Sequence, residues 1–308
     1  MKFFFYIPGM PADANVMANL SLGGSESAGM YMSRELVRLG HEVKAFTNGQ
    51  PGWWDGVEIC PIGQSNQTYQ EGEIFGRQSE IEPHDVLIVQ RTPAPFLRMK
   101  NSKINLMSMH DLARMRNRGQ IKGTLWNCQG ILGVSDWHSA QIKEVYDFPD
   151  GYVHTIRNGI DLSLYDVVPN YQRKWRGKKI IYASRPERGL VNFVKPDGIM
   201  DKLRAIDPDI TLVVCCYDNV TEEMRPLYQH LWARCHELPN VELLGNLSKR
   251  ALAEVMRDCT SLVYPVVPET AHEETSCISV MEAQAAGCNV IACANGAIGE
   301  TANFPGDI

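Results

Sequence analysis

Two carboxylates, Glu274 and Glu282, flank a predicted helix start in the stretch HEETSCISVMEAQAAGCNVIACANGAIGE, residues 272–300. Thr275 and Ser276 are candidate N-caps. Ile278, Met281, Ala285 and Ala286 recur at helical spacing, and Gly287 supplies a stop. Glu274 therefore precedes the helix and Glu282 lies inside it, roughly 9 Å along the axis from Ser276 at about 1.5 Å per residue. Between them, the free backbone N–H groups of the first turn and the positive end of the helix dipole attract phosphate. The plainer alternative is that Glu274 only favours the dipole and Glu282 sits on a solvated face.

Other segments carry complementary chemistry. KIIYASRPERGL (179–190) places Arg185 and Arg188 directly after an apolar run, where two guanidiniums can neutralise a diphosphate. LSLGGSESAGMYMSRELVRLGHEV (20–43) puts Gly23 and Gly24 before a helix capped by Ser25, with Ala28, Tyr31, Met32, Leu36 and Leu39 as its apolar positions. Glycine lets a backbone approach phosphate closely. Glu26 there reads as a partner of the helix dipole. INLMSMHDLARM (104–115) ends a strand run on His110 and Asp111, whereas His138 in GVSDWHSAQI (133–142) reads as structural. With carboxylates on both sides of a phosphate site, the ligand that fits is polyhydroxyl, then diphosphate, then ribose, which is the shape of a nucleotide sugar.

These residues need a scaffold that brings several loops to one edge. Short apolar runs alternate with helical-period segments: FFFYI (3–7), EVKAF (42–46), DVLIVQ (85–90), INLMSM (104–109) and GILGVS (130–135) in the first half. KIIYAS (179–184), ITLVVCC (210–216), VELLG (241–245), TSLVYP (260–265) and NVIACA (289–294) follow in the second, with helices near 220–236, 248–257 and 277–286. This is the pattern of parallel strands joined by crossover helices. The polar stretch NYQRKWRGKK (170–179) suits a linker between Rossmann-like domains 1–169 and 170–308. Such sheets bind ligands beyond the carboxyl ends of their strands, and two of them facing one another make an interdomain cleft.

Composition bounds the partners. The chain has 308 residues, 44% of them hydrophobic, enough for two ordinary domains or one large barrel. A net charge of −6 argues against a general nucleic-acid glove, yet residues 91–122 hold eight basic residues against the single acid Asp111. Nine scattered cysteines without a C-x-x-C read as reduced, buried thiols. MKFFFYIPGM is too short for a signal-peptide core or a membrane span, so a cytoplasmic protein is expected.

The E-x7-E spacing of Glu274 and Glu282, followed by AQAAG and NGAIGE, resembles that of retaining GT-B glycosyltransferases of the family-4 type, the glycosyl transferases group 1. The other segments follow in the family's order from Phe3 to Glu300, including GVSDWHSAQI and RNGID (157–161), with Asn158 and Asp161 as further contacts. The resemblance implies that Glu274 contacts donor-sugar hydroxyls, the amides of Thr275, Ser276, Cys277 and Ile278 hold the diphosphate, and Glu282 holds the ribose. It also places Gly23 and Gly24 near the donor, His110 beside the reacting carbon, and the backbone of Gly245, Asn246 and Leu247, in LLGNLSKRALAEVM (243–256), against the nucleobase. Where the family carries an Arg and a Lys about five residues apart, this chain has Arg185 and Arg188, as in an S-P-x-R-G-L variant.

The implied reaction moves a hexose-type sugar from a nucleoside diphosphate to a hydroxyl acceptor, with retention, by a metal-independent front-face route. No cofactor is expected beyond the donor substrate, and the D-P-D at 207–209 reads as a turn rather than a metal motif. A nucleotide-sugar-binding protein without turnover and a sugar-nucleotide epimerase of the same architecture are the alternatives. Residues 91–122 suggest an anionic acceptor, either a lipid-linked sugar or a phosphorylated glycan, with nucleic acid ranked behind them. They also suggest peripheral contact with the inner membrane face. Family members continue through helices that cross back onto the first domain, so the C-terminal domain reads as either truncated or naturally short.

Overall fold

In the central strands, continuous apolar runs are buried on both faces, as parallel sheets require. The computed structural model describes residues 1–63, 72–165, 177–216, 220–266 and 272–302. The chain divides into two units, Met1–Ala18 with Leu22–Gly159, and Ile160–Ile308 with Asn19–Ser21.

In the first unit the strands are β1 (Lys2–Ile7), β2 (Glu42–Thr47), β3 (Gly52–Trp54), β4 (Val57–Pro61), β5 (His84–Gln90), β6 (Ser102–Ser108), β7 (Gly130–Gly133) and β8 (Val153–Thr155). They lie in the order β3-β4-β2-β1-β5-β6-β7-β8, all parallel except the β3–β4 hairpin. The pleat sends Phe4 and Tyr6 of β1 to one face, with Phe46, Phe75 and Leu87, and Phe3, Phe5 and Ile7 to the other, with Met30 and Val43. Helices α1 (Ala14–Asn19), α2 (Gly24–Arg38), α3 (Glu73–Ile81), α4 (Arg118–Thr124) and α5 (Asp136–Tyr146) complete the unit. Helix α2 lies on the sheet through Ala28, Met30 and the small residues Ser27, Gly29 and Ser33, while the expected Leu39 falls at its C-cap, 73% exposed.

The second unit repeats the construction with β9 (Lys179–Ala183), β10 (Thr211–Cys215), β11 (Val241–Gly245), β12 (Ser261–Tyr264) and β13 (Asn289–Ala292). These five strands are parallel, in the order β11-β10-β9-β12-β13. The helices are α6 (Leu190–Val194), α7 (Ile199–Ile206), α8 (Arg225–Glu237), α9 (Lys249–Asp258), α10 (Ile278–Ala286) and α11 (Ile298–Ala302). The order reverses between β9 and β12, so the loops leaving those strands part at a topological switch point. In the first unit the same point lies between β1 and β5.

All ten expected strands form. The additional strands β3, β4 and β8 are short, and β3 and β8 are only partly buried. Most of the expected linker, 170–176, lies outside the described residues. The division falls after Gly159 rather than at 169/170 because Tyr165 is buried in the second core, with Ile160 and Leu164 packed against it. Eight of the nine cysteines are buried, and burial pushes the Cys215 thiol up to about 12. Among the described residues no helix is long and apolar enough to cross a membrane.

Candidate active site

The second unit gathers its polar side chains at the carboxyl ends of β9 and β12. Glu274, 5% exposed, follows β12, and three donors converge on its Oε1: Arg188 Nη1 at 3.0 Å, His272 Nε2 at 3.0 Å and the Tyr264 hydroxyl at 3.3 Å. The Ser184 hydroxyl stands 3.4 Å behind that of Tyr264, linking the end of β9 to the end of β12. Burial alone would raise the Glu274 carboxyl; the hydrogen bond from His272 and the charge of Arg188 outweigh it and hold the group below the ordinary carboxylate range.

The loop after β13 fixes this carboxylate from behind. Asn295 Nδ2 donates to the His272 carbonyl at 2.6 Å, and Ala297 N donates to the Glu274 carbonyl at 2.7 Å. Gly296 has φ +59, and a Cβ there would stand 2.3 Å from the Glu274 carbonyl oxygen, so no other residue fits without moving the loop. The NGAIGE segment thus acts as the clamp on Glu274.

The two arginines diverge. A single 3-10 turn, Pro186–Arg188, separates them and points Arg188 at Glu274. Arg185 instead pairs with Glu187 at 2.7 Å, and the Tyr228 hydroxyl, 3.4 Å from Arg185 Nε, donates to Glu187 at 2.6 Å. Each guanidinium therefore already has a carboxylate partner, so the charge available to a diphosphate is smaller than two bare arginines would offer.

Helix α10 begins one residue later than Ser276 would place it. Its N-cap is Cys277, buried and with no side-chain cap hydrogen bond, so Thr275 and Ser276 sit in the loop ahead of it. The first helical bond runs from Met281 N to the Cys277 carbonyl at 3.3 Å, leaving the N–H groups of Ile278, Ser279 and Val280 at the helix mouth. The buried face is Val280, Ala283 and Ala286, and Gly287 ends the helix in the left-handed region at φ 81. Glu282, 4% exposed, belongs to that face rather than to a solvated one, and Lys249 Nζ lies 2.6 Å from its Oε1. Lys249 opens α9 directly after the loop Gly245, Asn246, Leu247 and Ser248, in which Gly245 takes φ 68 and Ser248 caps the helix through Ala251 N.

Gly23, Gly24 and His110 belong to the first unit. Gly23, not Ser25, is the N-cap of α2, and Gly24 is its first residue. The neighbouring Glu26 is 3% exposed: Met10 N and the Ser25 hydroxyl bond its two oxygens at 3.1 and 2.8 Å. Cβ atoms on Gly9 and Gly23 would stand 2.1 and 2.4 Å from that carboxylate, so these glycines make room for Glu26. His110 follows β6, with Gln90 and Ser108 at 3.3 and 3.2 Å from its Nε2, and burial lowers its pKa to about 4, keeping the ring neutral near pH 7. His138 is fully buried and contacts the Asp111 carbonyl at 3.0 Å.

Residues 179–306 match the family described as glycosyl transferases group 1. The chain as a whole shares its fold with GT-B glycosyltransferases. Sucrose-phosphate synthase from Thermosynechococcus elongatus aligns at 16% identity and a TM-score of 0.70, over 96% of this chain and 82% of that one. Anabaena HepE in complex with UDP and glucose aligns at 15% and 0.66, over 99% and 83%, and a glycosyltransferase involved in avilamycin A biosynthesis at 16% and 0.66, over 100% and 83%. No curated protein matches the chain.

Within the group 1 match, sequence reasoning missed Tyr264, His272, Lys249 and Asn295. Tyr264 ends a strand and His272 stands two residues before Glu274, so both lay within reach of the motif; Lys249 had no signal, because its partner is 33 positions away. The D-P-D at 207–209 is a turn whose two aspartates hold Lys178 at 2.8 and 3.1 Å. The basic run 91–122 is largely neutralised by carboxylates nearby in the fold. Arg91 pairs with Asp111, Lys103 with Asp85, Arg118 and Lys122 with Asp147, and Arg98 and Lys100 approach Glu80. Arg114 and Arg116 are the two of the eight without an ion pair among the described residues, and exposed Met115 lies between them.

Proposed function

We propose that the chain is a glycosyltransferase that takes a hexose-type sugar from a nucleoside diphosphate bound to the second unit and passes it, with retention, to a hydroxyl acceptor. The observation that carries this reading is the convergence of Arg188, His272 and Tyr264 on Glu274 beside the open N-terminus of α10. A diphosphate placed at the amides of Ile278, Ser279 and Val280 meets the helix dipole, with Arg188 at hand as the glycosidic bond breaks and negative charge grows on the leaving oxygen. In the front-face route that oxygen takes the acceptor hydroxyl's proton while the new bond forms on the same side, and the chain's own cations supply the charge a metal ion would otherwise bring. Glu274 Oε1 is engaged by three donors, which suits a residue that positions sugar hydroxyls better than a nucleophile that attacks carbon. Anabaena HepE was crystallised with UDP and with UDP-glucose, which makes uridine donors the first to test. For an anionic acceptor or membrane surface, Arg114, Met115 and Arg116 are what the basic segment offers.

The test is incubation of the full chain with UDP-, GDP- and ADP-sugars and a mixed panel of hydroxyl acceptors, followed by detection of the nucleoside diphosphate and the anomeric configuration of the product. Acceptor-dependent release with retained configuration is expected. Release with inversion, conversion of the donor without an acceptor, or donor binding without turnover would each overturn the assignment.

A further inference from the structure

Lys249 occupies the first position of α9, where a cation opposes the helix dipole and where carboxylates are favoured instead. Local preference does not explain it. Its ammonium reaches α10 and stands 2.6 Å from Glu282 Oε1, with the two side chains 18% and 5% exposed. The other carboxylate oxygen, Glu282 Oε2, is buried and has no hydrogen-bond partner among the described residues. A buried carboxylate oxygen without a donor is unfavourable, and such a group stands ready for a ligand's hydroxyl. The origin of Lys249 is itself pinned by the left-handed turn at Gly245 and by the Ser248 cap.

We infer that Lys249 is a positioning residue for ribose recognition: by holding Glu282 Oε1 it turns Oε2 toward the vicinal hydroxyls of the nucleotide. The inference rests on the reading of the second unit as the donor site and deepens it. Lys249 sets how strongly the site distinguishes a ribonucleotide from its 2′-deoxy counterpart, because a carboxylate fixed in one rotamer rejects a sugar lacking the matching hydroxyl. Lys249 also ties the base-side loop to the ribose-side helix.

The test measures UDP and 2′-deoxy-UDP binding to the full chain by calorimetry, for the wild type, Lys249→Met, Lys249→Gln and Lys249→Arg, with melting temperature as the check on folding. The wild type is expected to prefer UDP at least about tenfold. Lys249→Met and Lys249→Gln lose most of that ratio, chiefly through weaker UDP binding, and Lys249→Arg restores it. A ratio unchanged in folded Lys249→Met or Lys249→Gln overturns the inference while leaving the donor site standing. If the wild type binds neither UDP nor GDP nor ADP, the donor site falls and the inference with it.

Discussion

The two units share one construction, a parallel sheet whose order reverses beside its first strand, yet the buried glutamate near each reversal is held in a different way. Glu26 in the first unit is hydrogen-bonded by Met10 N and Ser25 Oγ, with the Arg91 guanidinium standing off at 4.0 Å, and Gly9 and Gly23 make room around it. Glu274 in the second unit is hydrogen-bonded by three side chains, Tyr264 and His272 from its own strand-to-helix connection and Arg188, at 3.0 Å, from the loop after β9. A carboxylate bonded by the loop that encloses it fixes that loop's shape. A carboxylate bonded by three side-chain donors, one of them a guanidinium in direct contact, can trade donors with a ligand, and those partners can follow the charge of a reaction. That difference, rather than the shared fold, points to the second unit as the place where a donor is gripped.

The largest expected effect lies on that side. Arg188→Ala should lower kcat by about 10²–10³, the scale for loss of one preorganised donor in a charge-stabilising site. Steady-state kinetics would show it, and normal turnover would remove Arg188 from the chemistry. Gly296→Ala comes next, because the added methyl meets the Glu274 carbonyl, backbone against backbone, at a positive φ. A loss of about 1–3 kcal/mol in denaturant titration is expected, together with weaker nucleotide binding. Gly23→Ala should cost less, under about 1 kcal/mol, since its methyl meets only the end of the Glu26 side chain and its φ of −58 is ordinary. Equal costs for the two substitutions would erase the distinction between the units.

How much of this was legible in the sequence follows from the range of the interactions. The central strands β1, β5, β7, β10 and β12 were readable because burial on both faces leaves unbroken apolar runs, and Gly287 was readable as a helix stop because φ 81 demands glycine. The caps were misread at Ser25 and Ser276 because glycine and cysteine occupy those corners without a side-chain bond, so composition gave no marker. The ion pairs of residues 91–122 were not legible because the partners Glu80, Asp85 and Asp147 lie outside the segment. The roles of Glu26 and Lys249 are decided by tertiary neighbours, and no local spacing encodes them.

The smallest effect concerns acid. Burial lowers the pKa of His84, His110 and His138 in the first unit, His110 to about 4. Their folded-state values lie below the unfolded value of about 6.5, so the folded state binds fewer protons; stability is complete above about pH 6.5 and is lost as pH falls toward the folded values. Glu274 is also depressed, so its contribution is complete above about pH 4.3 and is lost only below that, as pH falls through its folded value. Hydrogen exchange at pH 7, 6 and 5, corrected for intrinsic rates, should therefore show the first unit loosening before the second. His110→Gln should blunt part of that response, and simultaneous loosening would contradict it.

A crystal structure of the chain with UDP addresses the central claim most directly. The expected result is a diphosphate against the amides at the start of α10, the ribose hydroxyls on Glu282 and the base beside Gly245 to Leu247. A nucleotide seated instead in the first unit, around Glu26 and Arg91, would contradict it.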